Sequence, residues 1–271
     1  MKYYENPSPD KWDEILKRPA KKTKELHEVV GKVLDDVRSN GDSALKKYEL
    51  QFDKVALEEL AVSEEEFTEA QACVSQELKD AIQIAHDNIY KFHAAQKFSP
   101  IRVETCMGIV CEQRAVPIEK VGLYIPGGTA PLFSTVLMLA VPAKIAGCSE
   151  IILCTPPDKD GKCNPAVLYS AKVSGVSKIY KVGGAQAIAA MAYGTESVPK
   201  VDKIFGPGNQ YVVAAKQLVS LEDVAIDMPA GPSEVEVIAD AESNPVFVAA
   251  DLLSQAEHGV DSQVVLVATD K

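Results

Sequence analysis

Gln255 and His258 stand three residues apart at the end of an apolar stretch, and at that spacing two side chains share one helical face. A neutral imidazole nitrogen beside an amide oxygen is half of a metal site, and Ser233 lies upstream in the loop Gly231-Pro232-Ser233. The pair has a second reading. A histidine near the last carbonyls of a helix, followed by Gly259, is also an ordinary C-terminal cap. One such pair supplies too few donors to define a zinc site by itself.

Three glycine-rich turns carry a different chemistry: residues 126–129 (PGGT), 183–186 (GGAQ) and 206–209 (GPGN). Each follows a strand-like run and precedes a helix-like one, where free N–H groups and the helix dipole favour a phosphate or another anion. A single turn of this kind can be no more than a tight connection. Three in one repeating unit favour a ligand the size of a nucleotide, held beyond the carboxyl ends of a parallel sheet. None of them matches G-x-G-x-x-G, and none is followed by the Gly-Lys-Ser/Thr of a P-loop. The Gly231-Pro232-Ser233 loop is not a G-x-S-x-G elbow either, which argues against a serine hydrolase.

The elements that must position these residues are readable in outline. Residues 23–40 carry Leu26, Val29, Val30, Val33, Leu34 and Val37 at helical spacing and stop at Asn40-Gly41. Ser63 with Glu66 forms a capping box ahead of a helix. Leu78, Ile82, Ala85, Ile89 and Phe92 stripe the next one, with His86 and His93 as surface or boundary residues. Two β-prone runs flank Met107-Gly108 and suggest a hairpin over 101–114. From residue 121 the rhythm changes. Strands at 121–125, 150–154, 178–182, 201–205 and 224–227 alternate with helices at 131–145, from 164, at 185–193 and at 209–221. Strand 234–238, helix 245–258 and strand 263–268 resume the pattern. Alternation of this length implies a parallel sheet covered on both faces.

The 271 residues give ample length for a core, as one large or two ordinary domains. A net charge of −11 argues against nucleic acid or an anionic membrane as a partner. No apolar run is long enough to span a bilayer, and residues 1–19 lack the apolar centre of a signal peptide, so the expected compartment is the cytoplasm. Six cysteines include no C-x-x-C pair, and they read as free thiols, with Cys154 a small buried hydrophobe in the run IILC.

Taken in order, VGLYIPGGTAPLFSTVLMLAVPAKIAG, KVGGAQAIAAMAYGT, IFGPGNQYV, DMPAGPSEVEVIAD and DLLSQAEHG resemble successive signatures of the L-histidinol dehydrogenases, over a stretch from about Tyr3 to the end. The resemblance implies a zinc- and NAD-dependent oxidation of L-histidinol, through the aldehyde, to L-histidine. It implies two related, incomplete Rossmann-like (aldehyde-dehydrogenase-like) parallel-sheet domains with a helical N-terminal region. It also implies a homodimer whose active site draws on both subunits. Carried over residue by residue, Gln255 and His258 match zinc ligands, and with Ser233 they match substrate contacts. Tyr124, Gln186 and Asn209 match NAD contacts. The expected organisation is an N-terminal arm over 1–22, a first α/β domain built from 23–120 and 232–271, and a second, NAD-binding domain over 121–231. The family's Glu-His acid/base pair and its remaining metal ligands have no counterpart here and are expected beyond Lys271, so the chain alone is expected to be inactive. A paralogous zinc/NAD alcohol dehydrogenase with another substrate, and a non-catalytic nucleotide-binding or dimerisation module, are the alternatives.

Overall fold

The structure, a computed structural model, describes residues 2–17, 23–127, 131–229, 234–257 and 262–269. Two compact units divide the chain, Leu26–Pro229 and Met1–Glu25 with Ala230–Lys271.

The elements run in order from a short helix α1 (Trp12–Ile15) through α2 (Thr23–Tyr48), α3 (Glu64–Cys73), α4 (Gln76–Ala94) and the strands β1 (Ile101–Cys106) and β2 (Ile109–Gln113). The alternating part follows: β3 (Lys120–Tyr124), α5 (Phe133–Ala146), β4 (Glu150–Thr155), α6 (Pro165–Val173), β5 (Lys178–Lys181), α7 (Gly184–Tyr193), β6 (Lys203–Phe205), α8 (Gln210–Ser220) and β7 (Ala225–Ile226). Then come β8 (Glu234–Ala239), α9 (Pro245–Ala256) and β9 (Gln263–Ala268).

Among the described residues of the larger unit, β3 to β7 form one parallel sheet in the order β5-β4-β3-β6-β7. The period of two along each strand divides its side chains between two cores. Val121, Leu123, Ile151 and Leu153 pack with α3, α5 and α6 on one face. Tyr124, Ile152 and Cys154 pack with α2, α7 and α8 on the other. That two-sided burial is why β4 reads as a continuous apolar run. Helix α7 is buried all round over residues 185–192, which are apolar except for Gln186. It lies close to the sheet, and a Cβ at Gly122 would fall 2.5 Å from Met191 Sδ.

The edge strand β5 is covered by residues 60–62, whose backbone pairs with it through Val62 N–H to Ile179 O (2.9 Å) and Lys181 N–H to Leu60 O (2.7 Å). The capping box forms as expected. Ser63 Oγ accepts from Glu66 N–H while Glu66 Oε2 accepts from Ser63 N–H. The hairpin of β1 and β2 also forms, antiparallel and exposed along both strands.

Two expectations need correction. The helix over 23–40 does break at Gly41 (φ 51°, ψ −132°), but helical chain resumes at once and runs to Tyr48. Glu196 Oε2 accepts from Asp42 N–H at that kink and pins it. The stripe of α4 is covered only in part, with Ile82 buried and Phe92 exposed.

In the smaller unit β8 and β9 pair in parallel from Glu234↔Gln263 to Ala239↔Ala268, joined by α9. Asn244 caps α9 by accepting from Val246 N–H, with Pro245 at its first position.

Candidate functional site

A cleft of about 810 Å³ opens in the larger unit at the carboxyl ends of the strands. Its walls are the three connections that the glycine turns marked, the connection from β4 to α6, and a face of α2 with the turn that follows it, through Val29, Val33 and Asp53. Strand β3 contributes Tyr124, Pro126 and Gly127; the β4 connection contributes Pro156, Asp158 and Asn164; the start of α7 contributes Gly184, Ala185 and Gln186; and the start of α8 contributes Asn209 and Tyr211. The sheet order reverses between β3 and β6, with β4 on one side of β3 and β6 on the other. The cleft is therefore at the point where adjacent connections leave for opposite faces.

Four helix N-termini meet its surface, those of α5 at Leu132, α6 at Asn164, α7 at Gly184 and α8 at Asn209. Each brings the positive end of a helix dipole. Asn164 Oδ1 caps α6 by accepting from Ala166 N–H at 2.9 Å. Asn209 Oδ1 accepts from both Tyr211 N–H (3.0 Å) and Val212 N–H (3.2 Å). With its oxygen committed to the helix, Asn209 has its amide –NH2 to offer a ligand.

The turns are held by side chains from behind. Tyr124 Oη accepts from Gly184 N–H at 3.0 Å, and burial pushes that phenol well above its ordinary value. Glu49 Oε1 accepts from Gly183 N–H and from Gln186 Nε2, both at 3.0 Å. Gln186 is 1% exposed, and its Oε1 has no hydrogen-bond partner among the described residues. On the other side Lys216 Nζ donates to Gly206 O at 2.8 Å and to Asp227, whose Oδ2 accepts from Gly206 N–H at 2.8 Å. Gly206 has φ +138°, and a Cβ there would lie 2.1 Å from Tyr124 O. Only glycine lets β6 leave the sheet so close to the end of β3. Gly127 and Gly183 both abut Pro156, where added Cβ atoms would sit at 2.6 and 2.7 Å from its ring.

The fold thus brings together Tyr124, Gln186 and Asn209, the three residues matched to NAD contacts. It also supplies four polar residues that the sequence does not flag. Glu49 and Asp53 sit on one side of a π-helical turn over Glu49–Asp53, where the wider turn keeps residues four apart on one face. Lys216 is the one of these with a signal in the sequence, a lone cation inside the apolar helix VVAAKQLV, and Asp227 follows a short strand. Burial and the neighbouring Asp53 carboxyl push Glu49 up to about 7, partly opposed by its two donors, and burial also raises Asp53.

The metal expectation is placed differently. Ser233 and His258 lie outside the described residues. Gln255 is half-buried on α9 in the smaller unit, and its Nε2 donates to Ser262 Oγ at 3.2 Å, leaving Oε1 as its possible ligating atom. One amide oxygen does not make a zinc site, and no group of three His, Cys, Asp or Glu among the described residues could hold a metal ion. His86 and His93 bond to Asp87 and Gln96 on the surface. Cys154 is fully buried and its thiol is pushed far up by burial, as a structural residue.

This is a doubly wound α/β protein with a ligand-sized cleft at the reversal of its strand order. The histidinol dehydrogenase family model matches residues 16–271. The chain belongs to the histidinol dehydrogenase family. It is 66% identical over 271 residues to a histidinol dehydrogenase of Bacteroides thetaiotaomicron, covering 100% of this chain and 63% of that protein. It is 56% identical over 261 residues to a histidine biosynthesis trifunctional protein of Komagataella pastoris, covering 95% of this chain and 31% of that one. A crystal structure of histidinol dehydrogenase from Elizabethkingia anophelis superposes with a TM-score of 0.88 at 57% identity, covering 99% of this chain and 62% of the other.

Proposed function

We propose that the cleft at the strand-order reversal binds NAD, and that the protein oxidises L-histidinol through L-histidinaldehyde to L-histidine. The observation that carries the cofactor reading is the meeting of four helix N-termini at one cleft, a field suited to a pyrophosphate. The volume of about 810 Å³ is within the usual range for ligand pockets. Gln186 Oε1, buried and without a partner among the described residues, is an acceptor for a ligand donor. The ionisable carboxyls lining the cleft are Asp53 and Asp158, and no lysine or arginine lines it among the described residues. Carboxylates suit ribose hydroxyls, whereas a 2′-phosphate would call for a basic partner, so the lining favours NAD over NADP.

NAD supplies the hydride acceptor when bound. This chain's residues bind and orient it: the starts of α7 and α8 face the phosphates, Tyr124 holds Gly184, and the amides of Gln186 and Asn209 fix register along the cleft. The same reading assigns Gln255 and His258 to zinc and, with Ser233, to the substrate. The described residues supply only Gln255 of that set. A homodimer in the cytoplasm, with both subunits contributing to the site, completes the reading, and family membership supports it; no described helix is long and apolar enough to cross a membrane. The division into an arm over 1–22, a domain of 23–120 with 232–271 and an NAD-binding domain over 121–231 belongs to the same proposal, and a sheet that starts at Lys120 and ends at Ile226 supports the bounds of the last of these.

The test is L-histidinol-dependent NADH formation by the product of the complete gene. Reduction of two NAD per histidinol, abolished by a chelator and restored by zinc, is expected. No histidinol-dependent NADH in the presence of added zinc would sink the proposal.

A further inference from the structure

Glu49 is 0% exposed and stands behind the cleft wall, so it touches no ligand. Its Oε1 nevertheless holds two parts of that wall at once, the Gly183 N–H of the β5–α7 turn and the side-chain amide of Gln186. The titratable groups that interact with it electrostatically include no cation. They are Asp53 from its own π turn, Tyr124 from β3, Cys154 from β4 and Cys163 ahead of α6. Lys181 on β5 is paired with Glu66 at 3.1 Å. Glu49 Oε2 is buried with no donor among the described residues, and Asp53 is its carboxyl neighbour. A fully buried carboxyl beside a half-buried one, with no cation among these groups, keeps one proton between the two. The protonated oxygen then donates to its neighbour, while Oε1 goes on accepting from the turn.

We propose that Glu49 is a positioning residue for the dinucleotide: one oxygen locks the β5–α7 turn to the Gln186 amide, and the proton shared with Asp53 keeps that wall at a single negative charge. The inference rests on the assignment of NAD to the cleft. Asp53 lines the cleft and Glu49 does not, so the pair transmits the protonation of a buried group to the ligand's surroundings. Loss of the shared proton places a second negative charge beside an anionic ligand. Binding is therefore linked to proton uptake, and affinity falls as pH rises through neutrality.

Calorimetric titration of NAD into the full 271-residue chain between pH 6 and pH 8 tests this. The unsubstituted chain is expected to bind about threefold more weakly at pH 8 than at pH 6, the size of one added charge at partly screened distance. Glu49→Gln keeps a carbonyl acceptor for Gly183 and Gln186 and offers a permanent donor to Asp53. It is expected to bind within about twofold of the unsubstituted chain at pH 6, with no slope up to pH 8. Glu49→Ala frees the turn and the amide, and is expected to weaken binding about tenfold. A role limited to folding would lower the melting temperature of both variants and leave the pH slope in place. If NAD binds the unsubstituted chain and Glu49→Ala binds it equally well, the inference falls and the cofactor assignment stands. If the unsubstituted chain binds no NAD, the cofactor assignment falls and the inference goes with it. Where Glu49→Ala does not fold, Glu49→Gln decides: retention of the slope overturns the inference.

Discussion

Gly206 and Tyr124 meet where the sheet divides, and the two residues set different limits on the cleft. A Cβ at Gly206 would strike the Tyr124 carbonyl, which is fixed in β3, so Gly206→Ala cannot be absorbed by a side-chain rotation. It is expected to cost about 3 kcal/mol in urea denaturation, by overlap and by a backbone angle that a side chain disfavours. Tyr124→Phe removes only a hydroxyl. The ring remains in the core while Gly184 N–H loses its acceptor. A loss of about 1 kcal/mol is expected, read as roughly fivefold weaker NAD binding with an unchanged fold by circular dichroism. Equal affinity would remove Tyr124 from the account of the cleft. Glu49 and Lys216 reach the same two turns from buried positions, so the glycines there are held by buried polar side chains on both sides of the reversal.

At the scale of elements, α2 carries a carboxyl whose titration is expected to show in stability. Asp36 accepts from Lys47 Nζ (2.7 Å), Asn40 Nδ2 (2.7 Å) and Tyr48 Oη (2.8 Å) across the Gly41 kink. The Lys47 bond is the largest of several that lower its pKa from 3.8 to about 2. A depressed carboxyl stabilises the fold above pH 3.8, and that contribution disappears as pH falls through 2. Asp36→Asn should therefore melt below the unsubstituted chain at pH 7 and converge with it near pH 2. A constant difference across that range would contradict the assignment. Glu49 has the opposite sign. Its pKa is raised from 4.5 to about 7, so its contribution is complete below pH 4.5 and is lost as pH rises through 7.

Elements of this kind are largely legible in the sequence, because caps, glycine turns and alternating periods are local signals. The capping box at Ser63, the hairpin at Met107-Gly108 and the helix from Asn164-Pro165 each follow from a few adjacent residues. The turns at 183–186 and 206–209 point to Gln186 and Asn209 in the same way. Glu49 and Asp53 are not legible. An acidic residue at the end of an amphipathic helix ordinarily faces solvent, and only the shared core of α2 and α7 leaves Glu49 buried and Asp53 half-buried. The substrate has no local signal either, and it enters through family membership alone.

For the whole molecule, the two units differ in how much apolar surface they bury. In the larger one, Ile152, Leu153 and Ile188 are completely covered. In the smaller one α9 buries no residue, and Val246, Phe247, Leu253 and Ile238 are all exposed. Local opening free energy follows buried contacts, so amide exchange should protect β3 and β4 at least about a hundredfold more than β8 and β9. Equal protection would contradict the separation of the chain into these units. The cleft belongs wholly to the well-buried unit, and its claim to NAD is tested most directly by a crystal structure of the chain grown with NAD. The expected result is a pyrophosphate across the N-termini of α7 and α8, between Tyr124 and Asn209, with Gln186 within hydrogen-bond distance of the ligand. Density for the dinucleotide elsewhere on the molecule, with the cleft holding solvent at saturating NAD, would contradict the account.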